Sequence, residues 1–233
     1  MWTHEIWKMY RLRIHRDGWP FLAAFAVGAF FLGSINSTLG WAGLICTLWC
    51  GWFFRDPDRV VPTREGLVVS PADGIVHAVQ SVMPPPEFGL SAEMHTRISI
   101  FLDIFSVHVN RIPVAGTVVG LAYRPGKFFN ASLDKASEFN ERQVIRITTA
   151  EGDIIGLAQI AGLIARRIRC DLKRNQQVKA GERFGIIRFG SRVDLYLPQK
   201  MASLVLVGQK VVGGETVLSD LRSDESARLR EGH

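Results

Sequence analysis

The sequence predicts a mainly β (α+β) protein: a β-sandwich or barrel-sandwich-like domain preceded by an N-terminal helical membrane hairpin. Three observations predict it. An uncharged run of 36 residues fills the region from Trp19 to Phe54. After it, short runs rich in Val, Ile and Leu alternate with Gly and Pro. Two of these runs, ADGIVHAV (72–79) and VAGTVVGLA (114–122), share one glycine-led pattern.

The uncharged run comes first in the chain. A membrane-crossing helix needs about 20 apolar residues, with a lower limit near 17. The run is too long for one such helix and long enough for two short ones. Ser34-Ile35-Asn36-Ser37-Thr38, followed by Gly40, supplies a polar turn between them. Lys8, Arg11, Arg13 and Arg16 precede the run, and Arg55 and Arg59 follow it. Both flanks are basic, which places both on the cytoplasmic side of a membrane. Trp19, Trp41, Trp49 and Trp52 suit the interfaces or the second helix. A cleaved signal peptide is not expected, because no small-residue cleavage site leads into an exported domain. The expected division is a membrane-associated segment over 1–54 and a second domain over 55–233.

The strands expected beyond Arg55 are GLVVSPADGIVHAV (66–79), RISIFL (97–102), GTVVGLAY (116–123), QVIRITTA (143–150), DIIGLAQIAG (153–162), RFGIIRFG (183–190) and RVDLYLP (192–198). Their length and their turn residues mark them as strands. Helical periodicity is confined to Gly162–Cys170 and Asn130–Phe139. A third segment, VGQKVVGGETVL (207–218), has spacing like that of the two glycine-led runs. The pattern resembles the hairpins of lipoyl- and biotinyl-type barrel-sandwich domains. Ser219 to His233 reads as a frayed, charged tail.

Composition bounds the function. Hydrophobic residues make up 47 % and charged residues 21 %, which excludes a disordered chain. Cys46, Cys50 and Cys170 form neither a secreted disulfide framework nor a zinc motif. His77 and His95 have no ligand partners at suitable spacing, so no metal is expected. The net charge of +6 suits an anionic partner. The membrane segment selects a lipid surface over nucleic acid. Arg166, Arg167 and Arg169 read as a solvated face, and Asp134-Lys135-Ala136 as a polar loop rather than a lipoylation hairpin.

Phe189-Gly190-Ser191 stands at a strand junction, followed by the alternation Val193, Leu195, Leu197. Glycine tolerates strained backbone geometry. A serine hydroxyl that follows such a glycine can attack the preceding carbonyl once a base takes its proton. An N-to-O acyl shift, β-elimination and hydrolysis then leave a pyruvoyl N-terminus. The candidate base is His108, in SVHVNR (106–111), and the candidate orienting acid is Asp73, in SPADG (70–74). Singly, each has an ordinary reading: Asp before Gly is a turn residue, and a lone His is structural. Leu32-Gly33-Ser34 is a decoy within the uncharged run, without a nearby base or a following strand.

Together, FFRDPDR (53–59), SPADG (70–74), FSVHVNRIPVAG (105–116), YRPGKFFNASLDKASEFNER (123–142) and FGSRVDLYLP (189–198) carry a resemblance. The chain resembles phosphatidylserine decarboxylase proenzymes of the short bacterial type, from about Phe53 to Leu218. The resemblance implies self-cleavage between Gly190 and Ser191 into a large chain, 1–190, and a small chain, 191–233. It implies a covalent pyruvoyl cofactor from Ser191, with Asp73 and His108 completing the self-cleavage triad. It implies decarboxylation of phosphatidylserine, through a Schiff base, to phosphatidylethanolamine and CO2 at the cytoplasmic face of the cell membrane. Longer members of the family carry a second histidine where this chain has Arg111, so how the two positions divide the acid–base roles stays open. Arg111, Arg124 and Lys127 are candidates for the lipid phosphate or carboxylate, or ordinary surface charges. A homo-oligomer also stays open. Two rivals fit less. A non-enzymatic membrane adaptor leaves these motifs unexplained, and a serine hydrolase needs a helix after the nucleophile where a strand is expected.

Overall fold

The computed structural model describes residues 13–127, 139–162, 167–188, 191–223, 225, 226 and 228. The chain divides into two compact units. One holds the described residues up to Asp58 together with Val107–Val109, and the other holds Arg59–Ser106 and the chain from Asn110 on.

The first unit is built on two helices, α1 (Trp19–Ile35) and α2 (Ser37–Phe53). Pro20 opens α1, where its missing N–H costs nothing. The break falls at Asn36, within the polar turn that the sequence predicts. Asn36 is extended (φ −153°, ψ 128°) and its side chain accepts from Thr38 N at 2.8 Å, capping α2. Small residues let the helices close on each other. A Cβ on Gly40 would sit 2.7 Å from Gly33 Cα, and one on Gly43 would sit 2.7 Å from Ala29 Cα. Each 17-residue helix is about 25 Å long, somewhat less than the ~30 Å hydrocarbon core of a bilayer. With the 3-10 turn before it, Arg16–Ile35 is long and apolar enough to cross a membrane. None of the α1 residues is buried, and Phe30 and Ile35 are 74 % and 78 % exposed. At the foot of the hairpin, His15 N donates to Phe54 O (2.8 Å) and Asp56 N to Arg13 O (2.7 Å).

The second unit is β-rich. Its strands are β1 (Leu67–Val69), β2 (Gly74–Val82), β3 (His95–Leu102), β4 (Val109–Arg111, with Asn110 and Arg111 in this unit), β5 (Gly116–Arg124), β6 (Arg142–Thr148), β7 (Ile154–Ile160), β8 (Ile168–Cys170), β9 (Gln177–Val178), β10 (Arg183–Ile187), β11 (Ser191–Pro198), β12 (Lys210–Val211) and β13 (Val217–Asp220). Eight form one sheet in the order β12-β2-β3-β11-β7-β6-β5-β9; β4-β10-β8 and β1-β13 form two smaller sheets. The seven strand regions predicted from sequence all carry strands. One face of the large sheet supplies Ile98, Ile100, Leu157, Ile145, Val193, Leu195 and Leu197 to the main core. On β11 the opposite face is buried too. Tyr196 packs there with Phe88 and Ala158, and burial pushes its phenol up to about 12. Arg192 and Asp194, both fully buried, form a two-pronged ion pair there (Nε–Oδ1 2.9 Å, Nη2–Oδ2 3.0 Å).

The two glycine-led runs are structural equivalents. Gly74 and Gly116 each begin a nine-residue strand whose register shifts early, at Val76/Ala78 and at Val118/Gly120. A Cβ at either glycine would lie 2.2 Å from a neighbouring carbonyl, Phe101 O or Thr148 O. Val76 exchanges hydrogen bonds with Gly208 and Gln209, as Val118 does with Asn175 and Gln176. The third segment of the sequence pattern is thus the partner of the first, and residues 175–182 play its part for the second. Two expectations need correction. Ile168–Cys170 is a strand, because it pairs with β10 instead of continuing a helix. The tail begins later than Ser219, since Ser219 and Asp220 belong to β13, paired with β1. The predicted helical window over 130–139 lies, but for Phe139, outside the described residues.

Breaking a buried ion pair leaves an uncompensated charge, at a cost of about 3–5 kcal/mol. Asp194→Ala is expected to lower unfolding stability by about that amount in urea titrations. The paired replacement Arg192→Met with Asp194→Leu is expected to cost less than either single change.

Candidate active site

Asp73 ends the turn that leads into β2. Its carboxylate is held at both oxygens. Oδ1 accepts from Gly213 N at 2.8 Å, and Oδ2 lies 2.6 Å from Arg59 Nη2. Both side chains are largely withdrawn from solvent, at 18 % and 14 % exposure. The internal repeat shows whether the turn itself needs this carboxylate. Its counterpart in the second run is Ala115. There Gly181 N donates to Ile112 O at 2.8 Å, as Gly214 N donates to Ser70 O at 2.8 Å in the first. The same turn therefore closes without a carboxylate. Gly181 and Gly214 both have positive φ (77° and 82°), a conformation that glycine adopts without strain.

Ser191 is the first residue of β11 and pairs with Leu102, the last of β3. It is fully buried. Alternation puts it on the core-facing side with Val193 and Leu195. Its Oγ has no hydrogen-bond partner among the described residues. Ile75, Phe101 and Arg192 form one row across β2, β3 and β11. Asp73 stands two residues before that row and Ser191 one residue before it, on strands that run the same way. The two thus share one end of the sheet, two strand spacings or roughly 10 Å apart.

His108 lies six residues beyond Leu102, among the three residues that count with the helical unit. It is fully buried, and its ring centroid is 4.2 Å from that of Phe53. The segment that leads to it is fixed by Asp103, whose Oδ1 accepts from Phe105 N, Ser106 N and Ser106 Oγ at 2.8–3.0 Å. Arg111 is built into the turns around Asp73. Its N donates to Pro71 O (2.8 Å) and its Nη1 to Gly181 O (2.9 Å), and it is 4 % exposed. Arg124 pairs with Glu87 at 2.7 Å on the surface. Lys127 bridges to Asn140. The decoy Ser34 sits inside α1, its Oγ donating to Phe31 O at 2.7 Å. Gly190 and most of the segment 123–142 beyond Lys127 lie outside the described residues. Among the described residues, no group of three or more His, Cys, Asp or Glu side chains is placed to hold a metal ion.

Sequence reasoning missed Arg59 as the partner of Asp73, reading it only as a flanking charge. It also missed Gln159 and Asn110, both fully buried, where Gln159 Nε2 donates to Asn110 Oδ1 at 2.8 Å. The one available signal was that Arg59 and Asn110 fall inside long motifs; Gln159 gave none.

Comparison with known proteins gives the family. A family profile described as phosphatidylserine decarboxylase matches residues 46–219. A phosphatidylserine decarboxylase proenzyme of Paramagnetospirillum magneticum is 61 % identical over 218 residues, covering 94 % of this chain and 91 % of that one. Proteins of the same description from Rickettsia bellii and Rickettsia africae are 56 % and 58 % identical, covering 93 % of this chain and 94 % of theirs.

Asp73→Ala alone strands the largely buried Arg59. The paired replacement Arg59→Met with Asp73→Ala leaves no unpaired guanidinium and is expected to cost no more than the hydrogen bond to Gly213 N, about 1–2 kcal/mol. Urea unfolding checks this; a loss well above about 3 kcal/mol would show that the turn needs the carboxylate.

Proposed function

Because the chain belongs to the phosphatidylserine decarboxylase family, we propose that it removes CO2 from the serine headgroup of phosphatidylserine, leaving phosphatidylethanolamine, with a pyruvoyl group made from its own Ser191. The observation that carries the reading is the setting of Ser191. It is a buried hydroxyl without a hydrogen-bond partner among the described residues, on the Gly-Ser bond that opens a central strand. A satisfied structural serine would have a partner.

In this reading the precursor cuts itself. A base takes the Ser191 proton, and Oγ attacks the carbonyl of Gly190. The peptide C–N bond breaks, the nitrogen leaves as an amine, and an ester links the two parts. Loss of the Cα proton breaks the Cβ–Oγ bond, giving a carboxylate on Gly190 and a dehydroalanine. Water then releases ammonia and leaves the ketone. The base is His108, with Asp73 orienting the imidazole and stabilising its charged form. Arg59 and Gly213 each hold one oxygen of the carboxylate, which supports a positioned rather than a mobile acid. A separation of roughly 10 Å between the Asp73 and Ser191 backbone positions supports a group acting between them.

The pyruvoyl ketone supplies an electron sink for the carboxylate-bearing carbon, the part that pyridoxal plays elsewhere. The full burial of Ser191 supports a site closed to water. The substrate carries two acyl chains and stays in the bilayer. The helical unit, with exposed Phe30, Phe31, Ile35 and Ile45, supports attachment to the same membrane. Basic residues on both flanks of the helices support the cytoplasmic face.

Intact mass under denaturing conditions tests the proposal. Two chains are expected, 1–190 and the 43 residues 191–233, the small one about 17 Da lighter than a peptide that starts with Ser. Ser191→Ala is expected to remain one 26.0 kDa species and to release no CO2 from phosphatidylserine vesicles. A single uncut species in active wild-type protein would refute the pyruvoyl reading.

A further inference from the structure

The inner face of the large sheet is apolar along most of β11 and β7, through Val193, Leu195, Leu197, Leu157 and Ile155. At the end that carries Ser191, two polar atoms of this face, Ser191 Oγ and Gln159 Oε1, are buried with no hydrogen-bond partner among the described residues, and so is Nδ2 of Asn110, which lies on β4 and is bonded to Gln159. Leaving such an atom unpartnered in the interior is costly. A fold keeps such groups together where they serve chemistry, or where a reacting group completes them.

The register places Gln159 near Ser191, and a hydrogen bond ties Asn110 to Gln159. Gln159 pairs with Val193, and Arg192 pairs with Ile160. Gln159 is therefore the diagonal neighbour of Ser191 on the same face, about 7–8 Å away and within reach of a long side chain. Its Nε2 donates to Asn110 Oδ1 at 2.8 Å. That bond fixes the Asn110 amide and leaves Nδ2 as a buried donor. The nearby Gln143, which pairs with Gln159, is already engaged, its Nε2 donating to Val144 O at 3.1 Å.

We propose that Asn110 is a further catalytic residue of self-cleavage, its Nδ2 donating to the oxygen that becomes negative when Ser191 attacks the preceding carbonyl, and that Gln159 is its positioning residue. The inference rests on the reading of Ser191 as the self-cleaving nucleophile. In the addition step the Oγ–C bond forms, the Oγ proton goes to the base, and the carbonyl electron pair moves onto its oxygen. That charge develops inside a buried site, where a fixed amide donor is worth far more than in water. When the intermediate collapses the pair returns, the C–N bond breaks, and the nitrogen leaves with a proton. Nδ2 changes neither charge nor protonation throughout.

The test follows cleavage of freshly made full-length precursor by mass, with hydroxylamine to release any ester. Asn110→Asp keeps the acceptor for Gln159 Nε2 and removes the donor. It is expected to slow cleavage by about 100-fold or more, with intact precursor accumulating and no hydroxylamine-sensitive ester. Gln159→Met is expected to slow it by a smaller factor. Folding is compared with the uncleavable Ser191→Ala precursor by thermal melting; if Asn110→Asp melts early, Asn110→Ala is read in its place. Cleavage of the folded Asn110 variant at the wild-type rate overturns the proposal and leaves the Ser191 reading intact. Accumulation of the ester also overturns it, because the donor would then act after the attack. Wild-type protein that never cuts refutes the Ser191 reading itself, and this proposal with it.

Discussion

The pairing of β11 with β3 governs the rest. It runs without a break for eight residues, from Ser191 opposite Leu102 to Pro198 opposite His95. A slip of one residue would turn Ser191, Val193 and Leu195 away from the core and bring Arg192 and Asp194 into it. The two faces of β11 forbid that slip. One is apolar, and the other carries an ion pair that is satisfied only where it stands. The register that protects the core also sets the depth and direction of the Ser191 hydroxyl.

The internal repeat separates what backbone geometry requires from what it does not. Two glycine-led strands, two register shifts and two positive-φ glycine turns follow the same plan. Backbone hydrogen bonding explains all of these, because the turns need only N–H and C=O groups in place. Where the copies differ, backbone geometry no longer supplies the reason. Asp73 stands where the other copy has Ala115, and it has acquired Arg59 as a partner. Fold and site are separable within one pair of turns.

The large strands were legible because each alternates or runs apolar for at least five residues between turn formers, and the hairpin because charge is absent for so long a stretch. The short strands β8, β9 and β12 were less so. Two or three residues cannot display a period. In the site, Ser191, His108 and Asp73 were visible through motifs. Arg59 was not, since nothing local marks which of several arginines meets a carboxylate 14 residues on. Gln159 was least visible of all: within a strand it reads as a polar interruption, and only the register of β7 on β11 places it beside Ser191.

The position of β11 has one more consequence. It is an interior strand, hydrogen-bonded to β3 on one side and β7 on the other. The segment that follows contributes β12 to the far edge of the same sheet and β13 to a separate pair with β1. A peptide beginning at Ser191 would thus be woven into three places at once. Cutting the chain there would free no fragment. It would convert a covalent connection into an interlocked two-chain assembly, whose dissociation requires unravelling the sheet. The new chain end would stay at the position where the bond was broken.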